Sequence, residues 1–310
     1  GNPFVDQPLP DPWITEEVFA EHRQHVGPHG AREINMWNDS RSDRYPRHPG
    51  ELRSAAEAKD FIDQYDCGVR FADDNLAQLI DLLKSQGVYE DTAIIVTSDH
   101  GENMGELGIY GEHATADEPC CRIPMVVKWP GMQRGGRDAG LHLNIDLLPT
   151  VAEILGQPAH PLWDGKSYAA SLTNGADCGR NCAVLGQCAH VCQRSVRFGD
   201  YLYIRTVHGG YHLWDDEMLF DIANDPHETR DIKAERPDLC AQGAKLLLDW
   251  EYEMMLTSES DVDPMWTVIR EGGPYHTWGH LDRYVQRLGE TGREEGVRPL
   301  RDRYARHPKH

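Results

Sequence analysis

Thr92-Ala93-Ile94-Ile95-Val96-Thr97-Ser98-Asp99-His100-Gly101-Glu102 carries the strongest structural signal in the chain. An apolar, β-branched run stops abruptly at Ser-Asp-His-Gly. That pattern predicts a buried parallel strand that delivers polar side chains to its carboxyl end. In open α/β sheets, ligands sit in the crevice beyond such strand ends. Asp99 brings a carboxylate and His100 an imidazole, a pair suited to a divalent cation. Gly101 allows the sharp turn that lets both side chains converge.

The segments on either side fit that reading. Upstream, Ala58, Phe61, Ile62, Tyr65, Val69, Ala72, Leu76, Leu79, Ile80 and Leu83 recur at helical steps between Ser54 and Gln86. The run is long enough to predict a bend near Cys67-Gly68, and Gly87 stops it. Downstream, Arg122–Gly131 reads as an apolar strand closed by Pro-Gly, and Leu143–Leu155 as an amphipathic helix ended by Gly156. Helix, strand, strand and helix in this order predict an α/β core with a mixed, mainly parallel sheet flanked by helices.

Residues 1–50 show little periodicity, broken by Pro3, Pro8, Pro10 and Pro12, and read as a long surface excursion at an active-site rim. The core plus this excursion takes residues 1–160. Residues 161–310 read as a small C-terminal α+β subdomain. Short β-like runs at Ser195–Phe198, Tyr201–Thr206 and Met218–Asp221 form an antiparallel sheet packed with a helix over Pro237–Met255. A tail with little apolar periodicity wraps the surface.

Composition narrows the function. The chain has 310 residues, a net charge of −20 and no apolar run of membrane-spanning length. The acidity argues against nucleic acid as a partner, and the missing apolar run against a membrane. It leaves room for an anionic substrate, because a metal and a few local cations can reverse the field in one pocket. No targeting segment opens the chain: Gly1-Asn2-Pro3-Phe4 reads like the interior of a protein. Cys178, Cys182, Cys188 and Cys192 follow one another at wider spacings than zinc knuckles favour, which points to disulfides or buried thiols instead.

Four motifs in order resemble one family. Ser98-Asp99-His100-Gly101-Glu102, Gly111-Glu112-His113, Arg122-Ile123-Pro124 with Trp129-Pro130-Gly131, and Leu219-Phe220-Asp221 with Asp225-Pro226-His227-Glu228 resemble the sulfatases of the alkaline-phosphatase superfamily. Tyr65–Asp74 matches the helix which that family places before the strand. The resemblance runs over about residues 55–240.

It implies hydrolysis of a sulfate ester, with a sulfated saccharide as the substrate. Asp99 and His100 would be half of a divalent-metal site, most often Ca2+ in sulfatases. The imidazole of His100 also suits Mn2+ or Zn2+. His113 stands where the family has a Lys or His on the sulfuryl group. His212 and His276 are candidate sugar contacts. A phosphonate monoester or phosphodiester hydrolase of the same superfamily is the enzymatic alternative, and a non-catalytic saccharide-binding pseudoenzyme is the alternative of another class.

One departure is large. No Cys or Ser stands in the stretch that becomes formylglycine in sulfatases, since Cys67, Cys121 and Cys192 all have the wrong residues after them. The first Asp pair of the metal site is missing as well. The resemblance therefore implies a C-terminal part of a sulfatase. The nucleophile would be supplied by the N-terminal part of the same enzyme, present as a separate chain or outside this sequence. Alone, the chain is expected to be inactive. The family implies a periplasmic or secreted enzyme, with a cytoplasmic one the alternative.

Overall fold

The computed structural model describes residues 2–36, 43–45, 48–132 and 135–305. The proline-rich start leads into α1 (Glu16–His22), where Thr15 caps the helix by accepting from the Val18 amide. Phe19 of α1 is buried with Ala31, Ile34, Leu52, Phe61 and Tyr110, so the excursion is anchored by its own apolar residues. Next comes α2 (Ala55–Ser85), capped by Ser54 and followed by Gly87 at φ +69°. The bend expected at Cys67-Gly68 does not form, and the helix is continuous. Gly68 faces open space, so it costs only the weaker helix propensity of glycine, about 1 kcal/mol.

β1 (Ile94–Thr97) lies within the 92–102 stretch. It is followed by β2 (Asn103–Met104), β3 (Tyr110–Glu112), the short α3 (Glu118–Cys121) and β4 (Met125–Lys128). The mainly parallel sheet expected from the sequence is not seen among the described residues. β1 pairs antiparallel with β4, from Ile94 opposite Lys128 to Thr97 opposite Met125, and every ladder among the described residues is antiparallel. β1 is also only partly buried, and Val126 of β4 is 62% exposed. A continuous apolar run reports that a strand can be covered on both faces. It does not say which strands lie beside it.

α4 (Leu147–Ile154) and α5 (Ala169–Asn174) lead to β5 (Cys182–Gln187), β6 (Cys192–Phe198), β7 (Tyr201–His208) and β8 (Glu217–Asp221). These four form an antiparallel meander in chain order, the small sheet read from the sequence. α6 (Pro237–Thr257) packs on it, Leu239 and Leu247 meeting Val196, Phe198, Tyr203 and Leu219. Gly243 lets α6 approach, because a Cβ there would lie 2.5 Å from that of Tyr203.

The tail beyond Met255, read as irregular, instead folds into α7 (Pro264–Arg270), α8 (Leu281–Glu290) and α9 (Val297–Tyr304). Leu281, Tyr284, Leu288, Leu300 and Tyr304 make a core with Tyr211 and with Val26 of the excursion. An ion pair is buried there: the Arg293 guanidinium, 1% exposed, donates to Glu33 at 2.8 Å and to the His25 carbonyl at 2.6 Å. All eight cysteines are free thiols in this structure.

Candidate metal and anion site

The end of β1 is fixed by its backbone. The Gly101 amide donates to the Cys120 carbonyl at 2.7 Å, and a Cβ on Gly101 would run into the Pro119 carbonyl oxygen. Glycine is therefore required by close packing, and α3 in turn is held by a buried polar knot. Asp117 caps α3 at the Cys120 amide, and the Asn103 amide group donates to the Asp117 carboxylate. The C-terminal signature closes the same corner. Glu228 accepts from the Glu118 amide, and the His227 ring bonds Glu106 at 2.8 Å while stacking on Trp13.

Asp99 and His100 project from this rim. Asp99 is 87% exposed, and its carboxylate is lowered in pKa chiefly because the His100 amide donates to it. The His100 ring contacts the Gly101 carbonyl through Nδ1 at 2.8 Å, which places a proton on Nδ1. Its Nε2 then turns a lone pair toward the Asp99 carboxylate, 3.6 Å away. Two electron-pair donors facing each other at that distance suit a cation, and the outer hydrogen bond on Nδ1 is the usual way an imidazole ligand is oriented. The donor chemistry thus fits a divalent metal, which Asp99 and His100 would hold.

His113 stacks on His100 with ring centroids 3.7 Å apart. Its Nδ1 bonds Glu112 at 2.7 Å, so the carboxylate orients the ring and leaves Nε2 for another partner. The segment is pinned from the meander, where Gln187 donates to the His113 carbonyl and the Ala116 amide donates to Gln193. Glu102 joins His100 and His113 with ligand atoms mutually within 4.8 Å. Burial, aided by the charge of Glu112, pushes the Glu102 carboxyl up to about 7.

A second group lies on the other side of Glu112. His29, Glu112 and His190 likewise bring their ligand atoms within 4.8 Å of one another. Burial lowers His29, and takes His190 down to about 3.

The other sequence candidates separate. His276 stacks on His190 with centroids 4.2 Å apart, beside the exposed Tyr275. His212 does not reach this surface. It is 1% exposed, hydrogen-bonded to His25 at 3.0 Å and stacked on Trp214 at 4.1 Å, so it is a packing residue of the interior. Sequence reasoning missed Glu102, His29, Glu112 and His190 as candidate ligands. Glu102 and Glu112 stood inside quoted motifs, but His29 and His190 carry no local pattern at all.

A family model for sulfatases matches residues 21–157, the segment that carries Asp99, His100 and His113. The choline-sulfatase of Rhizobium meliloti is 27% identical over 237 residues, covering 70% of this chain and 43% of that protein. The N-acetylglucosamine-6-O-sulfatase of Bacteroides thetaiotaomicron is 25% identical over 255 residues, covering 77% of this chain and 44% of that protein. These matches place residues 21–157 with the sulfatases of the alkaline-phosphatase superfamily. The chain spans less than half the length of these two superfamily relatives. Among solved structures of the superfamily, the phosphonate monoester hydrolase SpPMH from Silicibacter pomeroyi superposes with a TM-score of 0.61 at 20% identity. That match covers 82% of this chain and 51% of the hydrolase, and shows that the two share an α/β fold.

Proposed function

We propose that this chain supplies part of the active site of a sulfate-ester hydrolase acting on a sulfated saccharide. The observation that carries the reading is the convergence of Asp99, His100 and His113 at one strand end, within the segment that matches the sulfatase family. A divalent cation, Ca2+ in the first instance and Mn2+ or Zn2+ otherwise, would supply positive charge for the sulfuryl oxygens. His113 stands beside that charge. With Nδ1 held by Glu112, its Nε2 can donate, when protonated, to a sulfuryl oxygen or to the departing alcohol oxygen. Tyr275 and His276 offer flat, polar-edged surfaces on the flank, suited to a sugar ring.

The nucleophile, a formylglycine in this reading, and the remaining metal ligands would come from the N-terminal part of the same enzyme. The exposed apolar side chains of α2 and β4 support a partner of that kind, since large uncovered apolar patches mark interaction surfaces. The chain alone would then be inactive. A periplasmic or secreted setting goes with this reading, and no described helix is long and apolar enough to cross a membrane.

Phosphonate monoester hydrolysis is the second reading, favoured by the superposition on SpPMH. Side-by-side kcat/KM on an aryl sulfate and an aryl phosphonate, with the complete protein, separates the two. A preference for the phosphonate would sink the sulfatase assignment. Asp99→Ala in the same assay should abolish turnover, and saccharide binding without turnover by the unaltered complete protein would instead fit a pseudoenzyme.

A further inference from the structure

Glu112 has two oxygens. One bonds His113, but the other faces a buried imidazole that has nothing to give it. The His29 ring contacts the Ile34 carbonyl through Nδ1 at 3.0 Å, which fixes the proton on that nitrogen. Its Nε2 is buried without a hydrogen-bond partner and lies 3.6 Å from Oε2 of Glu112. That is too long for a hydrogen bond, and a lone pair aimed at a carboxylate is repelled by it. On the other oxygen, His190 Nε2 stands 3.8 Å from Oε1. Both imidazoles are more than nine-tenths covered. A buried polar atom left without a partner is destabilising, so the arrangement calls for something between these groups.

The backbone is also committed to this placement. His29 sits at φ +58°, a left-handed conformation rare outside glycine, and its carbonyl accepts from the Tyr110 amide at 2.8 Å. Gly30 bridges to Ile109 beside it. Strained non-glycine residues persist where the surroundings over-determine them, and they cluster at functional sites.

We propose that His29, Glu112 and His190 form a transition-metal site, separate from the Asp99–His100 pair, that takes Zn2+ rather than Ca2+. Two imidazoles and one carboxylate are the ligand set of many zinc centres that keep a fourth position open, whereas Ca2+ asks for six to eight oxygens. Ligand atoms about 3.3 Å apart surround a tetrahedral Zn2+ at its usual 2.0–2.1 Å bond lengths. His29 Nε2 lies 3.6 Å from one Glu112 oxygen and His190 Nε2 3.8 Å from the other. One ligand atom from each residue lies within 4.8 Å of the others, so the three side chains close on Zn2+ by drawing in by up to about 1.5 Å. The proposal does not depend on which ester the enzyme cleaves.

Zn2+ binding to the chelator-stripped protein, measured by competition with a chromophoric chelator, tests the site. The double variant Asp99→Asn/His100→Ala should retain one tightly held equivalent of Zn2+. Adding His29→Gln or His190→Gln should weaken that equivalent by more than the roughly 10–100-fold that loss of an outer-shell partner costs. Melting curves of these proteins in chelator should match, which separates ligation from folding. If the histidine variants fail to fold, Glu112→Gln and anomalous scattering at the zinc edge from Zn2+-soaked crystals of the unaltered protein take their place. Zinc density between His29 and His190 supports the site. Retention of no zinc by the double variant, or density only at Asp99 and His100, overturns it.

Discussion

α2 and α8 are both amphipathic helices, yet they end in opposite situations. α2 has 31 residues and buries only Ala58, Phe61 and Asp63, all near its start. α8 has 10 residues and buries Leu281, Tyr284, Val285 and Leu288. Beyond its first turns α2 holds Val69, Phe71, Leu79 and Leu82 in solvent, with Phe71 71% exposed. An apolar stripe is a demand for a partner, and only α8 has its demand met within this chain. The contrast divides the molecule into a closed part, where the excursion, the meander and the last helices share cores, and an open layer made by α2, β1, β4 and α4.

The largest effect that sharpens this contrast is expected at Arg293. Arg293→Ala takes from the buried Glu33 carboxylate its 2.8 Å partner and leaves it Arg287 at 3.6 Å and the Tyr284 hydroxyl, which should cost about 3 kcal/mol, read by urea denaturation. A loss under about 1 kcal/mol would mean that the closed part is held by its apolar contacts alone. Next, Gly101→Ala should cost about 1–3 kcal/mol, because the methyl group meets the Pro119 carbonyl and must push α3 away. The same substitution should weaken divalent-metal binding at Asp99 and His100, measured by calorimetry.

Acid should also strike the closed part first. Burial lowers His22 to about 4 and His25 to about 3, below the usual 6.5. Between pH 6.5 and about 4 the unfolded chain therefore binds more protons than the folded one, and stability falls as pH falls. These two residues should add up to about two protons to the uptake on unfolding, and His25→Gln should remove one of them. The smallest effect is expected in the open layer. Phe71→Ser should change the stability of this chain by no more than about 0.5 kcal/mol, but it should reduce binding of an apolar dye. A larger loss would show that α2 is covered in solution.

The sequence was most informative where a signal is local. The start of α2 near Ser54, the Gly87 stop and three of the four meander strands follow from periodicity and turn residues within a few positions. β5 escaped notice because Gly186 and its cysteines weaken the strand pattern. α8 does carry i, i+3, i+4, i+7 spacing, but over ten residues diluted by Arg and Asp. The antiparallel pairing of β1 with β4 was not legible, because burial potential does not name a neighbour. At the site, Asp99, His100 and His113 stand within fifteen residues, and their spacing is itself a motif. His29 and His190 lie far from them in opposite directions along the chain. What joins them is a turn pinned to β3 and a loop between two strands, and neither is encoded by residues next to the histidines.

The Arg293 and Arg303 contacts carry a consequence for the order of folding. Arg293 reaches back to the His25 carbonyl, and Arg303 donates to the carbonyls of Gly210 and His212. Arg293 and His25 stand 268 positions apart in the chain, and Arg303 stands 93 and 91 positions from Gly210 and His212. Loops that long close slowly and return nothing until they are closed. The histidine-bearing turns that these guanidinium groups steady therefore settle late in folding.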